Sequence, residues 1–322
     1  MTDGGIARRT AARLLGISTV ARAVRAIAKA RHHGIALVYH RIADLAPTDI
    51  VPTVDPETFR CQLEALAEVA SIVDLGDLVS GDAPRTPGRV AGPPVALTFD
   101  DDLVSHASQA LPMLGRVGVR ATFFLSGRTL VGEGAYWFQR LEALVAAYGP
   151  SRLGAAFGVD DAEPGVLALV AERDPVARAR VEALSAEVED PPVLDRAGIG
   201  AVRDAGMPIG FHTVDHVPLP SLADADLERA LVRGRRELDE AVGRPTTRFA
   251  YPHGAVDHRA RAAVRRAGFT VAWTGAPTAV RSGDDAFALG RWEPGPLAVD
   301  DFLVKLAVRL HRRPSMAPGG RR

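Results

Sequence analysis

Short apolar runs alternate with helix-period stretches along most of this chain, and that rhythm leaves few folds open. Eight runs read as buried strands: residues 35–39, 72–75, 95–99, 121–125, 208–211, 247–250, 269–273 and 287–289. Between them, residues 56–70 carry Phe59, Leu63, Leu66 and Ala70 at three- and four-residue spacing. Residues 224–242 repeat the pattern with Leu227, Leu231 and Leu238. Gly34, Gly76, Gly118, Gly206, Gly243 and Gly268 fall near the ends of such stretches, where left-handed caps belong. Strand–helix alternation builds a mainly parallel sheet, so the expected fold is α/β, an irregular (β/α) barrel of about 7–8 strands.

The rhythm breaks between Tyr136 and Asp195, in an Ala/Val/Leu-rich stretch that reads as a helical insertion, about residues 133–198, over one face. Residues 81–94 form a Pro- and Gly-rich surface connection. The expected organisation is an arm over residues 1–34, the barrel over 35–312 and a disordered tail over 313–322.

The chain of 322 residues has 39 Lys and Arg against 39 Asp and Glu, which excludes a general nucleic-acid footprint. One cysteine, Cys61, excludes a disulfide framework and Cys-rich zinc modules; it reads as a packing residue on a helix. Any metal must therefore be held by His and carboxylate. In residues 1–31, arginines interrupt every candidate signal-peptide core, and no apolar run reaches the roughly 20 residues of a spanning helix. The arm reads either as a basic amphipathic helix on an anionic membrane surface or as one packed on the domain. The expected location is cytoplasmic, with peripheral contact at the inner membrane face under the first reading.

Barrel enzymes place their chemistry just beyond the C-terminal ends of strands. Here those positions hold Tyr39-His40, Asp100-Asp101-Asp102, Ser126, His212-Thr213-Val214-Asp215-His216, Tyr251-Pro252-His253-Gly254, Trp273 and Arg291. Three adjacent carboxylates need a cation, a helix N-terminus or solvent to stay ionised together. An H-x-x-x-H pair on a tight loop brings two imidazoles to one ion, and two histidines with one carboxylate form a recurrent catalytic zinc set. The pair lacks the glutamate of H-E-x-x-H, which speaks against a zinc peptidase.

Thr98–Asp102 with His212–His216 resembles the first two motifs of the polysaccharide deacetylase (NodB-homology) family, T-F-D-D-G and H-[ST]-x-x-H. The likeness covers most of the chain. Leu37-Val38-Tyr39-His40-Arg41-Ile42 is similar to the opening strand of the branch beginning YHRV, and Ala121-Thr122-Phe123-Phe124 to its ATFF strand. Phe249-Ala250-Tyr251-Pro252-His253-Gly254 resembles the F-A-Y-P-Y-G third motif, Ala267-Gly268-Phe269 with Trp273 the fourth, and Leu289-Gly290-Arg291 stands at the last. The resemblance implies a barrel enzyme that removes acetyl groups, most often N-acetyl, from an amino-sugar polysaccharide or lipid-linked glycan precursor. It implies a divalent metal, commonly zinc, on Asp101, His212 and His216, with Asp100 as the base. The backbone N–H of His253 would hold the oxyanion and Trp273 would line the acetyl pocket, with Tyr251 and Arg248 beside the substrate.

Three departures stand out. Asp102 replaces a glycine, as a local capping choice or with a role around the ligands. Ala250 stands where many members carry an arginine that pairs with the catalytic aspartate; Arg248, two residues away on the same strand face, is a candidate substitute. Arg291 replaces the histidine that serves as general acid. A guanidinium with a pKa above about 12 does not readily give up a proton, so Arg291 would stabilise the oxyanion or orient the acid. His40 and His253 are available as replacement acids, or as structural or substrate-orienting residues. His32, His33, His106, His258 and His311 read as surface or packing residues, and Tyr136-Trp137-Phe138 as a small helical core or a stacking platform. An O-deacetylase is the alternative in bond type, and against the enzyme reading stands a glycan-binding or scaffold protein of the same fold that has lost its acid.

Overall fold

The computed structural model describes residues 34–46, 48–80, 92–160 and 162–311. The basic arm up to residue 33 and the tail from residue 312 lie outside the described residues. Among the described residues there are ten strands: β1 (Ile35–Tyr39), β2 (Arg41–Ile42), β3 (Thr53–Val54), β4 (Ser71–Ile72), β5 (Pro94–Asp100), β6 (Thr122–Leu125), β7 (Ile209–Phe211), β8 (Arg248–Ala250), β9 (Val271–Trp273) and β10 (Arg291–Trp292). Seven follow one parallel path, β10-β1-β5-β6-β7-β8-β9, with β4 beside the start of β5 and β2–β3 as a separate parallel pair. The path nearly closes on itself. Trp273 bridges Leu289, and the Thr274 amide donates to the Leu289 carbonyl at 2.7 Å. This is the expected irregular (β/α) barrel.

Alternation of side chains sorts each strand between two cores. On β5, Val95, Leu97 and Phe99 face the surrounding helices, where Phe99 stacks on Phe123 with ring centroids 4.9 Å apart. Ala96 joins Ala36, Phe124, Ala250, Leu289 and Trp273 in a second cluster enclosed by the strands. The outer layer includes the helix Pro56–Val69, whose start is written locally: Asp55 caps it by accepting from the Thr58 amide at 2.9 Å, and Pro56 sits in the first turn. Its half-buried Cys61 lies beside Glu57 and Arg60, off the helix's buried face.

Several boundaries differ from expectation. Of the run at 72–75 only Ile72 lies in a strand, the two-residue Ser71–Ile72, because Leu75 begins the helix Leu75–Ser80. The run at 287–289 yields one bridge, and the edge strand forms two residues later at Arg291–Trp292. The amphipathic stretch 224–242 is two helices, Asp224–Ala230 and Arg235–Val242, broken at Gly234 with φ 78°. A side chain there would meet the Ser126 carbonyl at 2.7 Å, so the break lets two rim loops pack closely. Gly118, Gly206, Gly243 and Gly268 adopt positive φ as expected of caps, whereas Gly34 and Gly76 do not.

The insertion is four helices, Trp137–Tyr148, Pro150–Phe157, Pro164–Arg173 and Pro175–Ser185. They share a hydrophobic core of their own, which includes Phe138, Leu141, Leu144, Leu167 and Val181 and reaches the barrel through Val51 and Leu103. Truncating the buried ring of Phe123 to alanine is expected to cost about 3–5 kcal/mol. Urea denaturation should show it as a lower midpoint with unchanged slope.

Candidate active site

Two strand ends carry the ligands. β5 ends in Asp100 and passes straight into Asp101 and Asp102; β7 ends at Phe211 and passes into His212. Among the described residues, five that are not glycine hold positive φ: Asp101, Asp102, Thr213, His216 and His253. All five lie on the rim loops at this end of the barrel. Such backbone is costly for residues with a Cβ and persists where its surroundings over-determine it.

These turns bring one carboxylate oxygen of Asp101 and one nitrogen each of His212 and His216 within 4.8 Å of one another, all buried. Asp101 Oδ1 lies 3.1 Å from His216 Nε2 and 3.4 Å from His212 Nε2. His212 Nδ1 is 2.8 Å from the Ala250 carbonyl, an acceptor that holds the proton on Nδ1 and leaves the Nε2 lone pair facing Asp101. Asp101 Oδ1 has no hydrogen-bond donor. Buried acceptors facing one another are the donor set that a divalent cation satisfies, and the chemistry is that of a two-histidine, one-carboxylate site.

Asp100 points into the barrel interior and meets Arg291. Both guanidinium nitrogens donate to the two carboxylate oxygens at 2.7 Å, and both side chains are 3% exposed. Arg291 also donates to Thr98 Oγ1 at 3.2 Å. Burial opposes ionisation of Asp100, but Arg291 and then His212 outweigh it and hold the carboxyl below the usual carboxylate range. Ala250 shares the interior cluster with Ala36, and Ala36 stands level with Arg291 on the neighbouring strand. The arginine missing from β8 thus reappears on β10, reaching the same aspartate across small side chains.

Asp102 caps no helix. Its carboxylate accepts from the Ser126 amide at 3.0 Å, from the Ser126 hydroxyl, and from the Tyr136 hydroxyl at 3.2 Å. Burial raises its carboxyl above the usual range despite these donors. Arg128 stacks on Tyr136 at 3.9 Å and donates to the Val214 carbonyl at 2.7 Å. The loop between the two histidines is thereby braced from the β6 end and the insertion together.

His40 and His253 flank the cluster on different sides. His40 Nδ1 lies 3.1 Å from Glu293, off the line of a hydrogen bond, and its Nε2 lies 3.8 Å from Asp101. Burial disfavours its charge, but Glu293 and the aspartates push its pKa up to about 9. His253 Nε2 faces the His216 carbonyl at 3.3 Å and its Nδ1 faces Glu172 at 3.3 Å. Burial and the neighbouring His216 bring its pKa down to about 4.

The remaining candidates divide. Tyr251 lines the cavity above the cluster and donates to the Phe287 carbonyl at 3.0 Å. Trp273 is enclosed in the barrel interior and does not line that cavity. Arg248 begins β8 at the opposite mouth, where it donates to Asp74 at 2.7 Å; it is not brought to this site. Trp137 and Phe138 belong to the insertion core and also line the cavity, and Phe138 meets the His216 ring edge-on at 5.2 Å. His106 packs between Phe99 and Phe123, His258 and His311 lie at helix ends, and His32 and His33 fall outside the described residues.

The model of the polysaccharide deacetylase family matches residues 88–272, which contain both ligand loops and the third motif. The chain belongs to that family. Among solved structures, the Streptococcus pyogenes deacetylase PplD, in complex with acetate, aligns with 16% identity and a TM-score of 0.59, over 85% of this chain and 98% of its own. IcaB from Ammonifex degensii aligns with 20% identity and a TM-score of 0.59, over 87% and 97%. A de-N-acetylase from Aggregatibacter actinomycetemcomitans aligns with 12% identity and a TM-score of 0.51, over 85% and 99%. At these identities the likeness is one of fold. Among curated proteins none matches the chain in sequence.

Family motifs point to neither Glu293 nor Glu172. Glu293 had a signal in its place, just beyond the end of the strand that carries Arg291. Glu172 had none, because it reaches the cavity from an insertion helix.

Two outcomes follow from the geometry. Zinc added to the metal-free protein should raise its melting temperature by mass action, and His216→Ala should lose that rise, as scanning calorimetry checks. Replacing Arg291 by methionine leaves Asp100 buried without its counter-charge and should cost about 3–5 kcal/mol at neutral pH. Because the Asp100 carboxyl sits below its unfolded value of about 3.9, the stabilisation is present above that pH and lost as pH falls through the folded value. Urea titrations should therefore show the gap between Arg291→Met and the parent narrowing in acid.

Proposed function

We propose that this protein hydrolyses acetyl groups, N-acetyl in the first instance, from an amino sugar of a glycan or lipid-linked glycan precursor, with a divalent metal ion, zinc by donor chemistry. One observation carries the reading: the buried Asp101–His212–His216 cluster lies beside an aspartate that Arg291 keeps ionised, on the floor of a cavity. A cation on those three residues would polarise the acetyl carbonyl and bring the pKa of water toward neutrality.

The chain's own residues do the rest. Asp100 takes a proton from the attacking water; a carboxylate oxygen has two lone pairs, so the Arg291 fork leaves one on each. The oxyanion is assigned to the His253 N–H, on the positive-φ turn that lines the cavity. Departure of the sugar amine breaks the C–N bond and needs a proton on nitrogen. Arg291 is committed to Asp100. His253 has an acceptor facing each ring nitrogen. His40 has Glu293 behind Nδ1 and turns Nε2 toward the ligand cluster, so the acid is assigned to His40. The products are acetate and the free amine.

Loss of the usual acid histidine motivated the scaffold reading. The pairing of Arg291 with Asp100 gives that substitution a catalytic purpose and favours the enzyme. No described helix is long and apolar enough to cross a membrane, and contact with the anionic inner face is assigned to the basic arm, residues 1–31.

Acetate release from N-acetylhexosamine glycosides and chitooligosaccharides tests the roles. Asp100→Asn and His212→Ala should each lower kcat by roughly 10²–10⁴; unchanged turnover in either sinks the assignment. His40→Gln should fall similarly on these amides yet keep most activity on p-nitrophenyl acetate, whose leaving group needs no proton. His253→Gln should lose less on the amides than His40→Gln.

A further inference from the structure

The cavity over the cluster, about 390 Å³, is at the small end of the range for small-ligand pockets. Its rim is joined to itself by successive contacts. On one side the loop that carries Ile50 and Val51 is latched to the insertion: Glu142 accepts from the Ile50 amide at 2.7 Å and the Val51 amide at 3.3 Å, and pairs with Arg41. Val51 is buried against Trp137 and Phe138, so loop and insertion form one continuous apolar wall.

The insertion then meets the third motif, where Glu172 faces His253 at 3.3 Å. The third motif meets the loop after β9 backbone to backbone; a side chain on Gly254 would come 2.2 Å from the Gly275 nitrogen. Beyond β10, Glu293 faces His40 at 3.1 Å. A second hollow of about 200 Å³ adjoins the first, and Val38, His40, Pro52 and Glu293 line both.

A long glycan lying across a catalytic cluster needs a gap in the rim on each side, and these contacts join the rim loops to one another at four places. We infer that the well takes its sugar end-on: the unit deacetylated is the terminal or only N-acetylated sugar on its carrier, not an internal residue of a polymer. The inference rests on the deacetylase reading and names its substrate class. It also gives the insertion a purpose. Glu142 and Glu172 are specificity-determining residues, each joining the insertion to a different part of the rim.

The experiment uses the zinc-loaded full chain with methyl glycosides of N-acetylhexosamines and N-acetylglucosamine oligomers of one to six units. Released acetate is measured, and mass spectrometry of end-labelled products maps the unit that lost its acetyl group. Acetate should come from a terminal unit, preferred over internal units by at least about tenfold. Glu142→Ala, which unlatches the Ile50–Val51 wall, should shift deacetylation toward internal units, and Glu172→Ala tests the rim at a second place should the first variant fail to fold. Internal deacetylation by the parent protein overturns the inference and leaves acetyl hydrolysis standing. Absence of acetate from every substrate overturns the activity reading, and the inference with it.

Discussion

A buried carboxylate that must stay ionised is an expensive thing to fold, and the ion pair between Asp100 and Arg291 is the constraint around which this barrel is arranged. Both charges sit inside the sheet, out of reach of bulk water. The fork geometry satisfies both carboxylate oxygens at once, which a lysine at the same place would not do. It also dictates the neighbours. Ala36, Ala96 and Ala250 are small where the barrel interior must admit a guanidinium from β10, and Thr98 offers it a further acceptor. The charge lies two strands from the aspartate it serves, so the pair ties β10 to β5 across β1.

Above that pair, the ligand loops are shaped by strain that their surroundings sustain. Asp101, Asp102, Thr213 and His216 hold backbone that side chains usually avoid. The compensation is visible in the Asp102–Ser126–Tyr136 hydrogen bonds and in Arg128, which grips the loop between the two histidines by the Val214 carbonyl. A carboxylate in place of a flexible glycine at position 102 is thus a tether from the β5 loop to β6 and the insertion.

Much of this was legible in the residues themselves. Strand–helix alternation specified the barrel, because a buried parallel strand is a continuous apolar run and its successor must be reached through a helix. The strand-end rule collects Asp100, Asp101, His212, His216 and His40, since those residues sit next to the runs that place them. What could not be read was whatever depends on reach across the barrel. Spacing put Arg248 on the same strand face as Ala250 but could not say that it faces Asp74 at the far mouth. Arg291 looked like a lost acid because its partner lies 191 residues away in sequence. The family resemblance places Trp273 in the acetyl pocket, and only the closing of the barrel shows it enclosed among alanines and Phe124. Short edge strands were misplaced for a related reason: β4 and β10 are set by their neighbours' hydrogen bonds, not by their own periodicity.

The insertion has a hydrophobic core separate from that of the barrel, and it is this module whose aromatic rings lie against His216 and whose Tyr136 holds Asp102. Modules with their own core open as units, at free energies below that of the whole molecule. A catalytic centre that leans on such a module depends on the module's stability as well as the barrel's, and loosening of the four helices would take away the support of the ligand loop.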